Sequence, residues 1–282
     1  MRKIKLHLNY AGYCMAKANH AVKNDVKSEI KFRALFGVIK HPEYGLILFD
    51  TGYTRKFYDA TNRFPSKIYA MITKVFIEEQ DEIKSQLIEN GYSPLDVKHV
   101  IISHFHGDHI AGLKDFPNAT FYCSKIAWEQ VKHIPSLLGF SKGILKKLIP
   151  TDFETRVKFF EEMNQSFQDE TLGRTVNIFD DNSILVFDVP GHARGQIGIK
   201  IKTEKNTYLL IADACWDKRA FEKGMLPNPI VKLFFDSWQD YLESVSKISK
   251  YHMKNPEDII LPTHCHESCK DYISTKMTFD DL

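Results

Sequence analysis

The sequence contains no long apolar segment. None of its hydrophobic runs approaches the roughly 20 residues that a helix needs to cross a bilayer. Its amino-terminal stretch alternates apolar and polar residues over Ile4–Tyr10, which is typical of a strand and not of a secretion signal. Internal repeats and low-complexity tracts are also lacking. Together these features predict a globular cytoplasmic protein that has no membrane partner.

An excess of charge of one sign is lacking too. The 38 basic and 36 acidic side chains leave a net charge of +2, so electrostatics gives no argument for a nucleic-acid partner. Cysteine is scarce, and an odd number, five, favours free thiols over a disulfide framework. With 282 residues, 43% of them hydrophobic, the chain is long enough for a large core in one or two domains.

A dense polar cluster follows the apolar run at 100–102. Three histidines and one aspartate occupy six positions, which is too many titratable groups for the interior of a strand or helix. Imidazole and carboxylate groups are ligands for first-row metals such as zinc, iron and manganese. A tight loop at the end of a strand would turn all four side chains toward one point. The cluster is therefore interpreted as a metal-binding loop: His104, His106, Asp108 and His109.

Further His and Asp residues also stand just past predicted strands. They are Asp50, His192, Asp213 and His264. We expect these residues to lie with the metal-binding loop along one edge of a sheet, where α/β folds commonly build ligand sites.

An apolar, predicted helical segment at 128–160 interrupts this β-rich pattern. The sequence leaves open whether it is plain core or a lid over an apolar substrate pocket. Amphipathic helices are predicted over Glu79–Asn90 and Trp238–His252. A turn is predicted at Ala11–Met15, and Arg55–Pro65 has no regular pattern.

The strand-end aspartate, the HxHxDH loop and the later His, Asp and His resemble the signature of the metallo-β-lactamase fold superfamily. The resemblance extends across nearly the whole chain. It implies an α/β (α+β) fold, a four-layer αββα sandwich, in one domain over 1–282 with a lid-like helical insertion around 128–160.

The resemblance also implies a set of metal ligands. His104, His106 and His192 would hold one ion, Asp108, His109 and His264 would hold a second, and Asp213 would bridge them. Asp50 would accept the outward N–H of a ligand histidine. The implied cofactors are two divalent ions, zinc foremost, with iron or manganese as alternatives. A metal-bridging hydroxide would attack the substrate, and Asp108 would act as the catalytic proton shuttle.

Within the superfamily, the chain most resembles the N-acyl-homoserine lactone lactonases, which are quorum-quenching enzymes. Ala11–Met15 and Ala212–Ala214 are similar to stretches of those lactonases. A small-molecule lactone is therefore the predicted substrate, with an acyl-homoserine lactone as the first candidate. Two positions depart from the pattern. Trp216 stands where the lactonases carry Tyr, and Gly107 replaces a bulkier residue, which we expect to widen the pocket.

Other functions remain open at this stage. The same metals would serve hydrolysis of another ester, a thioester or a phosphodiester. A glutathione thioester would need basic residues near the C-terminal end, where Lys270 and Lys276 stand. A non-catalytic relative that binds a metal or a ligand is a further alternative. The sequence gives no indication of the oligomeric state.

Overall fold

A computed structural model describes residues 4–277 of the chain. Its strands form two sheets, one of seven strands and one of six. The first sheet contains β1 (Lys5–Lys17), β2 (Glu29–His41), β3 (Gly45–Phe49), β4 (Val75–Phe76), β5 (Val97–Ile101), β6 (Thr120–Cys123) and β7 (Val157–Phe159). The second contains β8 (Ser166–Asp169), β9 (Gly173–Asn177), β10 (Ile184–Asp188), β11 (Ile197–Lys202), β12 (Thr207–Leu210) and β13 (Ile259–Leu261).

The α-helices lie between and after these strands. They are α1 (Ala18–Ala21), α2 (Lys56–Thr61), α3 (Lys67–Ile72), α4 (Ile83–Glu89), α5 (Gly107–Ile110), α6 (Lys125–His133), α7 (Phe153–Arg156), α8 (Arg219–Lys223), α9 (Trp238–Lys254) and α10 (His266–Cys269). Short 3₁₀ helices add single turns at Glu79–Asp81, Pro94–Asp96, Leu113–Asp115, Gly139–Lys142, Lys146–Leu148, Phe160–Glu162, Pro229–Leu233 and Lys270–Tyr272.

Both sheets are mixed. The first has the strand order β4-β1-β2-β3-β5-β6-β7, in which β3, β5, β6 and β7 are parallel neighbours. The second has the order β13-β12-β11-β10-β9-β8, antiparallel except for the parallel pair β12 and β13. Strands β3, β5, β10, β12 and β13 therefore deliver their C-terminal ends to a shared region of the sandwich.

Strand periodicity assigns side chains to the layers. On β2, Leu35 and Ile39 belong to the core between the sheets, whereas Phe36 and Val38 belong to the core under the helices of the first sheet. On β10, Val186 likewise enters the inter-sheet core. Successive side chains of a strand point to opposite faces, so strands buried on both faces need apolar residues throughout. The result is the expected αββα sandwich.

Helix α9 covers the outer face of the second sheet. Its buried Tyr241, Val245 and Ile248 share one face at helical spacing and join the outer core. Ser237 caps the helix by accepting the backbone N–H of Asp240 at 3.2 Å. The helix predicted over Trp238–His252 is confirmed and extends slightly further.

The structure corrects three local predictions. The chain does not turn out of the sheet at Ala11–Met15, because β1 continues through a β-bulge in which Gly12 has a φ of +75°. The Arg55–Pro65 stretch, predicted to be irregular, contains α2, and β8 and β9 were not predicted. These elements are short or polar, so periodicity gave little signal for them.

The segment at 128–160 is mainly short helices, but it ends in β7, which extends the first sheet. The predicted helical character is therefore wrong at Val157–Phe159. Its apolar residues divide, since Leu145 and Leu148 are buried whereas Leu137 is 68% exposed. Over residues 4–277 no helix combines the length and the apolar character that crossing a membrane requires.

Candidate metal centre

The two sheets bring the predicted site residues to one edge of the sandwich. Ligand atoms of these side chains form three groups, and within each group the atoms lie within 4.8 Å of one another. The groups share members: His104, His106 and His192; His104, His109 and Asp213; Asp108, His109 and His264. All seven candidate ligands therefore meet at one place.

Asp50 fastens the metal-binding loop to the end of β3. Its carboxylate accepts the backbone N–H of Ser103 at 2.8 Å and the Ser103 hydroxyl at 2.7 Å. The Nδ1 atom of His109 lies 2.7 Å from Asp50 Oδ2. Asp50 is fully buried, with a φ of 56°, an uncommon conformation for a residue other than glycine. The expectation that Asp50 holds the outward nitrogen of a site histidine is confirmed, and His109 Nε2 is left facing the site.

Three imidazoles form one side of the centre. His106 Nδ1 lies 2.9 Å from His192 Nε2, and the ring centroids of His104 and His106 are 4.5 Å apart. His104 Nδ1 is 3.0 Å from the Ser103 hydroxyl, so its Nε2 faces the other two rings.

The other side of the centre combines two imidazoles and two carboxylates. His264 Nε2 lies 3.3 Å from Asp108 Oδ2 and 3.1 Å from Asp213 Oδ2. His109 Nε2 lies 3.5 Å from Asp108 Oδ2 and 3.4 Å from Asp213 Oδ1. Asp213 also reaches the first side, since its Oδ2 is 3.3 Å from His192 Nε2. Its carboxylate therefore contacts both sides, which is the arrangement expected of a bridging ligand.

Buried atoms without partners test whether a metal fits here. His104 Nε2, His109 Nε2 and Asp213 Oδ1 are buried and have no hydrogen-bond partner among residues 4–277. Leaving such atoms unsatisfied costs on the order of 1–3 kcal/mol each. The same three residues form one of the groups with converging ligand atoms. This donor set of imidazole nitrogen and carboxylate oxygen fits divalent first-row metal ions.

Burial keeps the imidazoles of His104, His106 and His192 neutral. It lowers the pKa of His104 well below the usual value, lowers that of His106 and lowers that of His192 to about 3. A neutral imidazole offers the nitrogen lone pair that a metal ligand needs.

On the side of the centre formed by His264, Asp108 and Asp213, the attraction between opposite charges determines the direction of the pKa shifts. Burial disfavours the protonated form of His264, but Asp213 and Asp108 outweigh it and raise its pKa to about 10. Burial also disfavours the ionised carboxylates. The facing histidines nevertheless hold the pKa of Asp108 and of Asp213 well below the usual range. Both carboxylates are therefore ionised at neutral pH.

Two phenylalanines that the sequence did not single out, Phe32 and Phe235, lie against the centre. Phe32 stacks on His264 with ring centroids 4.9 Å apart, and Phe235 lies 5.1 Å from the ring of His192. Trp216 lies between these two phenylalanines and donates its indole N–H to Asp213 Oδ2 at 3.0 Å. Phenylalanines carry no polar pattern, so only the tertiary structure identifies their place.

Helix α3 contributes one more residue that the sequence did not single out. The Tyr69 ring packs edge-on against Phe57, with the ring centroids 5.5 Å apart. Burial, with a smaller contribution from Asp108, raises the pKa of Tyr69 well above its ordinary value. The phenol therefore stays protonated and able to donate.

Gly107 does not widen the pocket as expected. A β-carbon at this position would lie 3.3 Å from the Phe57 ring and 3.6 Å from Leu145 Cδ1. Side chains from α2 and from the segment at 128–160 thus take up the space next to the glycine.

All five cysteines are free and buried. Free thiols were expected and are confirmed. Among the described residues, no group of converging metal ligands includes Cys265 or Cys269.

A family model of the metallo-beta-lactamase superfamily matches residues 35–264. The chain belongs to this superfamily, as its sandwich fold and the clustered histidines and aspartates at the strand ends indicated.

Curated relatives include N-acyl homoserine lactonases. One is the lactonase AttM of Rhizobium radiobacter, 26% identical over 181 residues, which are 64% of this chain and 61% of that protein's length. Another is the N-acyl homoserine lactonase of a Bacillus species, 24% identical over 253 residues and 89% of each chain.

Solved structures show the same fold. An N-acyl homoserine lactone hydrolase with N-hexanoyl-L-homoserine at its catalytic metal centre aligns with a TM-score of 0.73, at 22% identity, over 96% of this chain and 97% of that one. AidC, described as a dizinc quorum-quenching lactonase, aligns with a TM-score of 0.65, at 18% identity, over 93% of this chain and 87% of that one.

Proposed function

We propose that this protein is a dinuclear metal-dependent hydrolase that opens a lactone ring, with an acyl-homoserine lactone as the first candidate substrate. The convergence of seven potential ligands in three overlapping groups is the observation that carries the proposal. Membership of the superfamily and the likeness to curated lactonases support it. Cytoplasmic location and a quorum-quenching role remain predictions.

Two divalent ions would bind at this centre. His104, His106 and His192 would hold one, Asp108, His109 and His264 the other, with Asp213 shared between them. Five imidazoles and two carboxylates suit zinc, and they also suit iron or manganese. Zinc is favoured because a structural neighbour is described as a dizinc enzyme.

Bound ions would supply a water of lowered pKa and a Lewis acid for the ester carbonyl. The chain's own groups would move protons and orient the substrate. Asp108 is ionised and lies within 3.5 Å of both His109 and His264, so it is placed to take up a proton and return it to the leaving oxygen.

The segment at 128–160 would form an apolar wall for an acyl chain. Ile144 forms a backbone bridge with His106, and Leu145 approaches Gly107. The segment therefore touches the metal-binding loop directly. Each methylene of an acyl chain buried against it would contribute about 0.8 kcal/mol.

A substrate with an anionic group is a second candidate. A cavity beside His106 and His192 is also lined by Lys142, Arg194 and Asp236. Lys142 lies 3.9 Å from Asp236, whereas Arg194 has no ion-pair or hydrogen-bond partner among residues 4–277. An unpaired guanidinium next to a hydrolytic centre would suit a phosphodiester or a charged thioester. Lys270 supports a thioester less, since it pairs with Glu267 at 2.9 Å.

Metal analysis joined to a substrate panel tests the proposal. Purified protein should contain two ions per chain and release acid from N-acyl-homoserine lactones faster than from S-lactoylglutathione or bis-p-nitrophenyl phosphate. His109→Ala should abolish turnover, whereas the exposed His133→Ala serves as the control. Preferred turnover of either charged substrate would replace the lactone by the second candidate. Two bound ions without turnover of any panel member would favour a non-catalytic binder.

A further inference from the structure

The single hydrogen-bond donor of Trp216 is already used inside the protein. An indole has one N–H and no acceptor. That N–H lies 3.0 Å from Asp213 Oδ2, a good hydrogen-bond distance. Trp216 therefore has no polar atom left for a substrate.

The contacted oxygen lies where the two sides of the centre meet. Asp213 Oδ2 is also 3.1 Å from His264 Nε2 and 3.3 Å from His192 Nε2. The other oxygen, Oδ1, has no hydrogen-bond partner in the described part of the chain and lies 3.4 Å from His109 Nε2. A donor on Oδ2 therefore favours the orientation of the carboxylate in which Oδ1 faces His109.

Packing holds the indole in this position. Its ring meets Phe32 edge-on at 5.5 Å and stands perpendicular to Phe235 at 5.1 Å. Edge-to-face contacts of this kind orient both rings. The donor is therefore placed by the aromatic walls of the site and does not depend on the substrate.

We propose that Trp216 is a positioning residue that orients the Asp213 carboxylate for the two ions. Partners of this kind fix the direction of a metal ligand, and losing one typically costs about 10- to 100-fold in metal affinity or activity. The inference rests on the proposed metal centre but not on the lactone substrate.

Metal affinity, measured by competition with a chromophoric zinc chelator, tests this role without any substrate. Trp216→Phe keeps an aromatic ring and removes the N–H, so zinc affinity should fall by about tenfold or more. Tyr251→Phe is the matched control, because it removes another aromatic donor to a carboxylate, the Tyr251 hydroxyl bonded to Asp258, near the C-terminal end of α9. The control should bind zinc as the unchanged protein does.

A second variant separates the hydrogen bond from the packing. Trp216→Gln retains an N–H donor of similar reach and loses the ring, so it should bind zinc more tightly than Trp216→Phe. Equal losses in both variants would overturn the role of the N–H. Indole emission gives a further measurement, since zinc should change it in the unchanged protein and in Tyr251→Phe. That change should disappear in Trp216→Phe and in Trp216→Gln.

The outcomes separate the two claims. Zinc binding by the unchanged protein, with the same affinity in Trp216→Phe, would reject only the role of Trp216. An unchanged protein that binds no zinc would reject the metal centre together with it. If Trp216→Phe fails to fold, the Gln variant and the emission change decide.

Discussion

The two sheets contribute to the centre in different ways. The first sheet supplies four of the seven candidate ligands from one loop after β5, whereas the second supplies three from the ends of three separate strands. Half of the centre is thus a local arrangement, and the other half exists only when β10, β12 and β13 are assembled. A gap in either half would leave the shared Asp213 without its partners.

The two sheets also differ in what holds the Nδ1 atom of a site histidine, the ring nitrogen that faces away from the centre. His109 Nδ1 meets the side-chain carboxylate of Asp50 at 2.7 Å, within the first sheet. His264 Nδ1 meets the backbone carbonyl of Arg33 at 2.9 Å, and Arg33 belongs to β2 of the opposite sheet. The second-sheet histidine is therefore oriented by the first sheet, which links formation of the centre to docking of the two sheets.

The largest expected effect tests whether the two halves are equivalent. His109→Ala removes a ligand of the local half, and His264→Ala removes one of the assembled half. Both should lose more than the 10- to 100-fold in metal affinity that outer partners cost, and both should stop turnover. Metal content and lactone hydrolysis measure this. A fully active protein with either substitution would contradict the site.

The next prediction concerns Asp50, the side chain that contacts the outward nitrogen of His109. Asp50→Asn should weaken zinc binding by about 10- to 100-fold, because an amide cannot accept all three of the donors that now face Asp50. Asp181→Asn is the control, since Asp181 pairs with His41 at 2.8 Å outside the centre. Equal zinc affinity in both variants would show that Asp50 has only a structural role.

A smaller effect concerns the contact between His106 and the segment at 128–160. Gly143 has a φ of +69°, and a β-carbon there would lie 2.6 Å from His106 Cδ2. Gly224 has a φ of +68° with nothing within 4 Å. Alanine at either position should cost about 1–2 kcal/mol of unfolding free energy from backbone strain. Gly143→Ala alone should also reduce metal binding; the same loss in Gly224→Ala would argue against direct crowding of His106.

A last difference between the two sheets is their acid sensitivity. Strands β8–β13 contain no histidine, whereas His7 on β1 is 2% exposed and its Nε2 has no hydrogen-bond partner within the range 4–277 that the structure describes. Burial lowers the pKa of His7 to about 4. Between pH 6.5 and 4 the unfolded chain binds the proton more readily, so stability falls as the pH falls through this window.

At pH 5 this single histidine should cost about 2 kcal/mol relative to neutral pH. Urea unfolding at pH 7 and pH 5 measures the loss, and His7→Leu should shrink it by about that amount. The exposed His133→Gln should leave the loss unchanged. An equal loss in the protein and in His7→Leu would place the acid sensitivity elsewhere.

Prediction from sequence succeeded where the signal was local. Apolar alternation located most of the core strands, and the spacing of His104 to His109 marked the metal-binding loop, because a loop of six residues brings its own side chains together. It failed where neighbours come from far along the chain. The space beside Gly107 is taken up by Phe57 and Leu145, which are remote in sequence, so the widened pocket was wrong.

The sequence by itself determined most of the core strands, the residue types able to bind a metal and their positions at strand ends. Only the tertiary structure decided that Asp213 contacts both sides of the centre. The same holds for the hydrogen bond from the Trp216 N–H to Asp213 and for the contact of His264 Nδ1 with the Arg33 carbonyl. Periodicity fixes the face on which a side chain lies, because it is a property of one strand. The partner it meets depends on how two sheets dock, and no single stretch of chain encodes that.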